Sequence, residues 1–116
     1  MTDKHISLSC ANVAEDDLYG AYKIFFGTLV SGTRLKILNE LREGKRNVTE
    51  LTEALGLEQS AVSHDLARLR RCGFVRQHTQ GKFRYYEIDR TTIEPMLDLI
   101  DAHMSEHCIH ILEGNR

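Results

Sequence analysis

The apolar positions of residues 57–75 repeat with the period of a helix. Val62, Leu66 and Leu69 are spaced i, i+4 and i+7, so they form one stripe along a helix. The opposite face carries hydroxyls, an imidazole, a small residue and guanidinium groups, supplied by Ser60, His64, Ala67 and Arg71 with Ser63 and Arg68 at its edges. Such a face is typical of a helix in a DNA groove, because cations suit phosphates and short polar groups suit base edges. An ordinary solvated face is the alternative.

A helix is also predicted near the start of the chain. Acidic residues at 16 and 17 suit a helix N-terminus, and Ser31-Gly32 would end the helix after about residue 30. Its apolar residues again share one face, at Leu18, Tyr22, Phe25 and Leu29. Residues 1–13 are polar and unpatterned, which predicts a flexible N-terminal arm ahead of one domain over residues 14–116.

Two short helices are predicted between these segments. Thr33 caps the first, over residues 34–42, which would turn Leu35, Leu38 and Leu41 inward. Residues 43–45 form a turn. Asn47 with Glu50 three residues later has the pattern of a capping box, and Gly56 is a typical helix stop. The helix between them would bury Val48, Leu51 and Leu55. This helix and the one after Gly56 form a helix-turn-helix pattern.

After residue 73 the apolar period changes from helical to extended. Residues 74–77 and 83–88 flank a polar, glycine-containing tip at 78–82, which predicts a β-hairpin with a basic tip. A last helix is predicted to about residue 112, with one apolar stripe formed by Ile93, Leu97, Ile100, Met104, Cys108 and Ile111. The fold class is therefore mainly α with a small β-hairpin (α+β): a winged helix-turn-helix of about five helices and a two-stranded wing.

Composition and charge are consistent with a nucleic-acid-binding domain. The 116 residues are 41% hydrophobic and 28% charged, which predicts one folded domain with a modest core. Net charge is −2, yet residues 66–86 hold six Lys or Arg and no Asp or Glu, whereas residues 87–113 hold seven acidic residues and one Arg. A polyanion would be attracted to the first segment and repelled by the second.

The remaining composition restricts location and activity. The longest apolar run, residues 24–30, is too short to span a bilayer, and the N-terminus lacks the pattern of a signal peptide. Three cysteines without a close pair make a disulfide framework unexpected. We therefore expect a cytoplasmic protein with no membrane partner. Outside the histidine-rich residues 103–110, the sequence shows no nucleophile with an oriented base, no carboxylate pair and no phosphate-binding loop, so we do not expect an enzyme.

Three consecutive segments of the chain resemble signatures of the ArsR/SmtB family of metal-responsive winged-helix repressors. They are TLVSGTRLKILNELREG, VTELTEALGLEQSAVSHDLARLRRCGFV and GKFRYYEI, which together cover about residues 28–88. The resemblance implies binding to a double-stranded DNA operator as a homodimer, whose first and last helices pair across a two-fold axis. The apolar stripes of those two helices also suggest a dimer, because a domain this small leaves them no further core to cover.

The resemblance also assigns DNA contacts. Groove-facing positions at the start of the recognition helix match this chain, a phosphate-contacting position matches on the preceding helix, and two positions match on the wing. With the neighbouring Gln59 and the edge residue Arg68, the predicted set is Thr49, Gln59, Ser60, Ala61, Ser63, His64, Arg68, Lys82 and Arg84. A winged helix that binds only a protein partner is a less favoured alternative, because a protein-binding face more often mixes charges.

The family's metal sites are only half matched. Residues 46–49 supply no thiol for the cysteine site near the helix-turn-helix. At the last-helix site, one ligand pair falls on Arg90 and Thr92, which are not ligands, and the other falls on His103 and Glu106, which are. The chain itself offers a cluster of possible transition-metal ligands (Zn²⁺, Ni²⁺ or Co²⁺) at one-turn spacing, formed by His103, Glu106, His107 and His110. Asp89, Asp101 or His5 would complete the shell.

Thiol chemistry is the alternative form of sensing. Some relatives sense soft metals through a cysteine at the position of Cys72, and others sense oxidants through cysteine pairs. Arg70, Arg71 and Arg76 would favour a thiolate at Cys72. The candidate thiol sensors are Cys72, Cys108 and Cys10, for each of which plain core filling is the competing interpretation.

Overall fold

The computed structural model describes residues 14–108 together with 110 and 113, so the predicted N-terminal arm lies outside the described residues. The described chain forms five helices and three strands: α1 Glu15–Leu29, α2 Gly32–Leu41, β1 Arg46–Asn47, α3 Val48–Leu55, α4 Gln59–Arg71, β2 Val75–Gln80, β3 Phe83–Ile88 and α5 Ile93–His107. The strands are antiparallel in the order β1-β3-β2. This is the predicted winged helix-turn-helix, with α4 as the recognition helix and β2–β3 as the wing.

The predicted stripe of the recognition helix is confirmed. Val62, Leu66 and Leu69 are fully buried. They pack with residues of α2, α3 and the wing, and the buried core comprises Ile37, Leu38, Leu41, Leu51, Val62, Leu66, Leu69, Phe74, Val75, Tyr86, Ile88 and Ile93. The Phe25 ring of α1 stacks on Phe74 with 4.9 Å between centroids, which seats α1 on the same core.

The start and the inward face of α2 differ from the prediction. Ser31, not Thr33, is the N-cap, because Ser31 is extended and its hydroxyl accepts a hydrogen bond from the Arg34 backbone N–H at 3.2 Å. Leu35 is 41% exposed and Ile37 is buried in its place. The expectation that Leu35 points inward was wrong, since the buried face of this helix is centred on Ile37, Leu38 and Leu41.

The capping box of α3 is confirmed, and the residues before it add a strand. Residues 46–47 form β1, which pairs with Tyr85 and Tyr86 of β3, so the two-stranded wing becomes a three-stranded sheet. A two-residue strand is too short to show a period of two in the sequence. Gly56 has φ +66°, the left-handed conformation expected of a helix stop.

The first strand of the wing is longer and the tip is tighter than predicted. The strands extend to Gln80 and from Phe83, so only Gly81 and Lys82 lie between them. Gly81 has φ +66°, which allows this short connection. At the C-terminal end, α5 is described to His107, and the predicted end near residue 112 falls among residues 109–112, of which only His110 is described.

Candidate nucleic-acid interface

The recognition helix presents an open polar face because its inner face is held on the core. The predicted contacts Gln59, Ser60, Ala61, Ser63 and His64 are all exposed, and Arg68 is half-buried. The first turn of α4 carries no acidic residue, and its last turn carries Arg68, Arg70 and Arg71. The cations of this helix are therefore gathered at its C-terminal end, whereas the exposed Glu58 immediately precedes its first turn.

The register of the wing directs one face of its strands toward α4. Gln77 is opposite Tyr86 and Thr79 is opposite Arg84, and side chains directly opposite each other share a face of the sheet. Tyr86 is buried on that face. Arg84 therefore lies farther out along the wing on the face that Tyr86 packs against the core.

A groove of about 420 Å³ separates the recognition helix from this face of the wing. Its lining holds three guanidinium groups and no carboxylate, and consists of Val48, Ser63, Ala67, Arg70, Arg71, Gln77, Arg84 and Tyr86. Arg70 Nη1 donates a hydrogen bond to Gln77 Oε1, which joins the helix to β2 across the groove. Three guanidinium groups along a groove without carboxylates suit a phosphate backbone.

The predicted DNA contacts divide into three groups. Ser63 and Arg84 line the groove together, and the exposed residues of the first turns of α4 continue from it. Thr49 is exposed on α3, and Lys82 is exposed at the tip of the wing, neither of them in the lining. The groove adds Arg70, Arg71 and Gln77. In the sequence, Arg70 and Arg71 follow Ser63 and His64 by seven residues, a spacing that places them on the same side of the helix. Alternation along the strands places Gln77 on the face of the wing that carries Arg84 and Tyr86.

Only part of the predicted metal cluster is brought together. The rings of His103 and His107 lie 4.8 Å apart between centroids, and Glu106 Oε1 is 3.6 Å from His107 Nε2. His110 lies beyond the end of α5 and is exposed. Across the described part of the chain, no group of three or more His, Cys, Asp or Glu side chains is gathered closely enough to hold a metal ion. Two imidazoles one turn apart can supply two ligands of a larger shell.

Both carboxylates considered as remote ligands have other partners. Asp101 Oδ2 is 2.9 Å from Arg42 Nη1, and Asp98 pairs with the same guanidinium. Asp89 Oδ1 accepts four hydrogen bonds from the backbone N–H groups and hydroxyls of Thr91 and Thr92. The Thr92 backbone N–H and the Thr91 hydroxyl hold the pKa of Asp89 well below its usual range. His5 lies outside the described residues.

The two described cysteines are free thiols at helix ends. Cys72 is half-buried at the C-cap of α4, and its Sγ lies 3.6 Å from Oγ1 of the buried Thr28. Cys108 is half-buried at the C-cap of α5. Cys10 lies outside the described residues. The contact of Cys72 with Thr28 joins the end of α4 to α1.

A further apolar surface remains uncovered on α1 and α5. Large side chains are exposed on both helices, at Tyr19, Tyr22, Ile24, Phe26, Leu99 and Ile100, and at Val30, the C-cap of α1; Val30 is 78% and Leu99 is 72% exposed. Exposed apolar side chains of this size on neighbouring helical turns are typical of an interaction surface. None of the described helices is both long enough and apolar enough to traverse a bilayer.

Comparisons with known proteins agree with this geometry. Residues 31–77 match the sequence profile described as bacterial regulatory protein, arsR family. The chain is 44% identical over 79 residues to the HTH-type transcriptional regulator NmtR of Mycobacterium tuberculosis, a match that covers 68% of this chain and 65% of NmtR, just under two thirds of it. It is 36% identical over 75 residues to the transcriptional repressor PagR of Bacillus anthracis, covering 64% of this chain and 75% of PagR.

A solved structure shares the fold over most of the chain. The homodimeric winged helix-turn-helix DNA-binding domain of Mb0332 from Mycobacterium bovis superposes with a TM-score of 0.76 and 25% identity, covering 89% of this chain and 95% of that domain. Sequence similarity thus extends through the helix-turn-helix, and structural similarity extends to the flanking helices and the wing. The chain therefore belongs to the arsR family of bacterial regulatory proteins.

Proposed function

We propose that this protein is a homodimeric transcriptional repressor that binds a double-stranded DNA operator through α4 and the wing. The observation that carries the proposal is the groove walled by Arg70, Arg71 and Arg84, which continues into the exposed polar start of α4. Guanidinium groups there would hold the phosphate backbone, and Ser60, Ser63 and His64 would reach base edges. As a regulator of bacterial genes, it would act in the cytoplasm.

The uncovered apolar surface of α1 and α5 supports the dimer. A second copy placing the same surface against it would bury Tyr19, Phe26 and Leu99 in a symmetric interface. Two recognition helices would then meet half-sites about one DNA turn, ~34 Å, apart. Sedimentation of the wild type and of Phe26→Asp tests this assembly, since a buried carboxylate in the interface would yield monomers.

We further propose that a transition-metal ion bound at α5 releases the protein from DNA. The paired rings of His103 and His107 support this, with Glu106 beside them. These residues fit Zn²⁺, Ni²⁺ or Co²⁺ as part of a shell that needs further ligands. Bound there, the ion would add positive charge beside the apolar side chains of α1 and α5 that form the proposed dimer interface. His110 stays a predicted fourth ligand.

A thiol effector is the second candidate. Cys72 ends the recognition helix and its sulfur contacts Thr28 of α1, so a modified or metal-bound Cys72 would disturb both helices. Cys108 and Cys10 stay predicted partners in that chemistry. Absorption titrations of the reduced protein separate the two candidates, since thiolate charge-transfer bands require cysteine, whereas Co²⁺ d–d bands alone indicate the histidines.

The ionic-strength dependence of binding tests the main proposal. Labelled random duplex DNA is titrated with protein at several salt concentrations. A repressor of this design gives a steep linear fall of log affinity with log salt, because each neutralised phosphate releases counterions. Binding that is insensitive to salt, or none at low salt, would contradict it and would favour a protein-partner module. We do not propose an enzymatic activity.

A further inference from the structure

Arg34 lies where the first helix, the second helix and the recognition helix meet. It stands in the first turn of α2, and its guanidinium contacts both other helices. Nε donates a hydrogen bond to the Thr28 carbonyl of α1 at 2.7 Å, and Nη1 donates one to Asp65 Oδ1 of α4 at 3.1 Å. The two charged side chains are only 15% and 12% exposed. One side chain therefore links α1 to α4.

On the α1 side, the guanidinium meets a helix end that lacks a cation of its own. The last turn of α1 contains no basic residue. Carbonyls at a helix C-terminus have no donor within the helix and carry partial negative charge, which a nearby cation stabilises. Arg34 supplies that cation from α2, and its Nη2 also donates to the Gly27 carbonyl at 3.5 Å. The position of the α1 terminus is thus tied to the guanidinium plane.

On the α4 side, the partner is a buried carboxylate on the face opposite the predicted base contacts. Asp65 is buried and lies two residues after Ser63. A buried ion pair contributes little net stability compared with apolar residues of similar size, and its best-attested role is to fix the register of the elements it joins. Because the donors of a guanidinium lie in one rigid plane, the directions to Thr28 and Asp65 are fixed together.

We infer that Arg34 and Asp65 are positioning residues that set the orientation of the recognition helix relative to α1. The inference rests on the proposed function, in which α1 contributes to the dimer interface and α4 enters the groove. In that dimer, the angle between α1 and α4 determines the separation and tilt of the two recognition helices. The pair therefore sets the half-site spacing that the protein accepts, without contacting DNA.

The experiment is a selection from a pool of random duplexes, performed with the wild type, Asp65→Ala, Asp65→Asn and Arg34→Lys. Glu94→Gln is the matched control, because it removes the carboxylate of the surface pair Arg90–Glu94. Circular dichroism and sedimentation establish that each variant is folded and dimeric at the selection temperature. The selected duplex is then remade with one base pair added between half-sites, which rotates them by roughly 35°.

The wild type and Glu94→Gln should each select duplexes whose half-sites have one spacing. Both should bind the lengthened duplex roughly tenfold more weakly than the selected duplex. Asp65→Ala and Arg34→Lys should enrich the same half-site sequence with several spacings, and the penalty for the lengthened duplex should fall below about threefold. Asp65→Asn keeps an acceptor for Arg34 and should restore much of the wild-type discrimination. A merely destabilised helix would not change spacing preference in a folded dimer.

Two other outcomes overturn the inference separately from the proposed function. If the wild type enriches a palindromic site and the folded variants keep its single spacing and full penalty, the positioning role is wrong and the DNA-binding proposal stands. If the wild type enriches no sequence at all, the proposed function fails and the positioning role fails with it. Should Asp65→Ala not fold, Arg34→Lys and Asp65→Asn decide the same question.

Discussion

Asn47 and Glu50 cap the start of α3 reciprocally: the Glu50 backbone N–H donates to Asn47 Oδ1 at 2.8 Å, and the Asn47 backbone N–H donates to Glu50 Oε1 at 2.9 Å. Asn47 also ends β1, so the cap fixes the point where the sheet passes into the helix-turn-helix. We expect Asn47→Ala to lower the free energy of unfolding by about 1 kcal/mol. Urea denaturation followed by circular dichroism measures this, and a loss below ~0.3 kcal/mol would contradict it.

Arg84→Gln should weaken DNA binding on every sequence and reduce the salt dependence. Arg84 lines the groove between α4 and the wing, where it would neutralise one phosphate. The slope of log affinity against log salt should therefore fall in magnitude by about 0.9. Fluorescence anisotropy with random and selected duplexes gives both slopes.

The matched control for Arg84 is Arg76→Gln. Arg76 is exposed on the neighbouring strand but on the opposite face of the sheet, where it pairs with Asp89 at 3.4 Å. The substitution removes the same charge from the wing without touching the groove. An equal loss of slope in both variants would show that net charge, rather than the groove, governs binding.

Ser63→Ala and His64→Ala should blur sequence preference more than they weaken non-specific binding. Both side chains are exposed near the start of α4, His64 on the face opposite Leu66 and Leu69 and Ser63 at the edge of that face. Losing one base contact reduces discrimination by about 1–3 kcal/mol at the affected position. Competition between the selected duplex and point-mutated duplexes measures this. Equal losses on selected and random DNA would remove these residues from base recognition.

The sequence predicted the parts of this interface that depend on local periodicity. The stripe of Val62, Leu66 and Leu69 determined which face of α4 is open, and the structure confirms it. The pair Arg34–Asp65 was not predicted, because its members are 31 residues apart and polar pairing across elements leaves no local pattern. The hydrogen bond from Arg70 to Gln77 was not predicted for the same reason, because it depends on how the wing folds back onto α4.

Asp89→Asn should destabilise the fold at neutral pH but not in acid. Hydrogen bonds from Thr92 and Thr91 lower the pKa of Asp89 in the folded state, so its ionised form stabilises that state at pH values above its usual pKa, about 3.9. The difference in free energy of unfolding from the wild type should be about 1–2 kcal/mol at pH 7. It should shrink as the pH falls below ~4. Denaturation at several pH values measures this, and a constant difference would contradict it.

His103→Ala combined with His107→Ala should abolish metal-induced release and leave metal-free binding to DNA unchanged. The two rings are 4.8 Å apart near the end of α5, away from the groove. Without them, Glu106 and His110 alone are too few ligands for a stable site. Anisotropy of labelled DNA with added Zn²⁺, Ni²⁺ or Co²⁺ measures release, and Co²⁺ absorption measures binding directly.

The control for this double substitution is His78→Ala, because His78 lies on β2 outside the predicted ligand set. It should keep the wild-type response to metal, measured relative to its own metal-free affinity. If release and the Co²⁺ bands persist without His103 and His107, the ion binds elsewhere. Thiolate bands that then disappear in Cys72→Ser would assign sensing to the end of the recognition helix, where the sulfur meets Thr28.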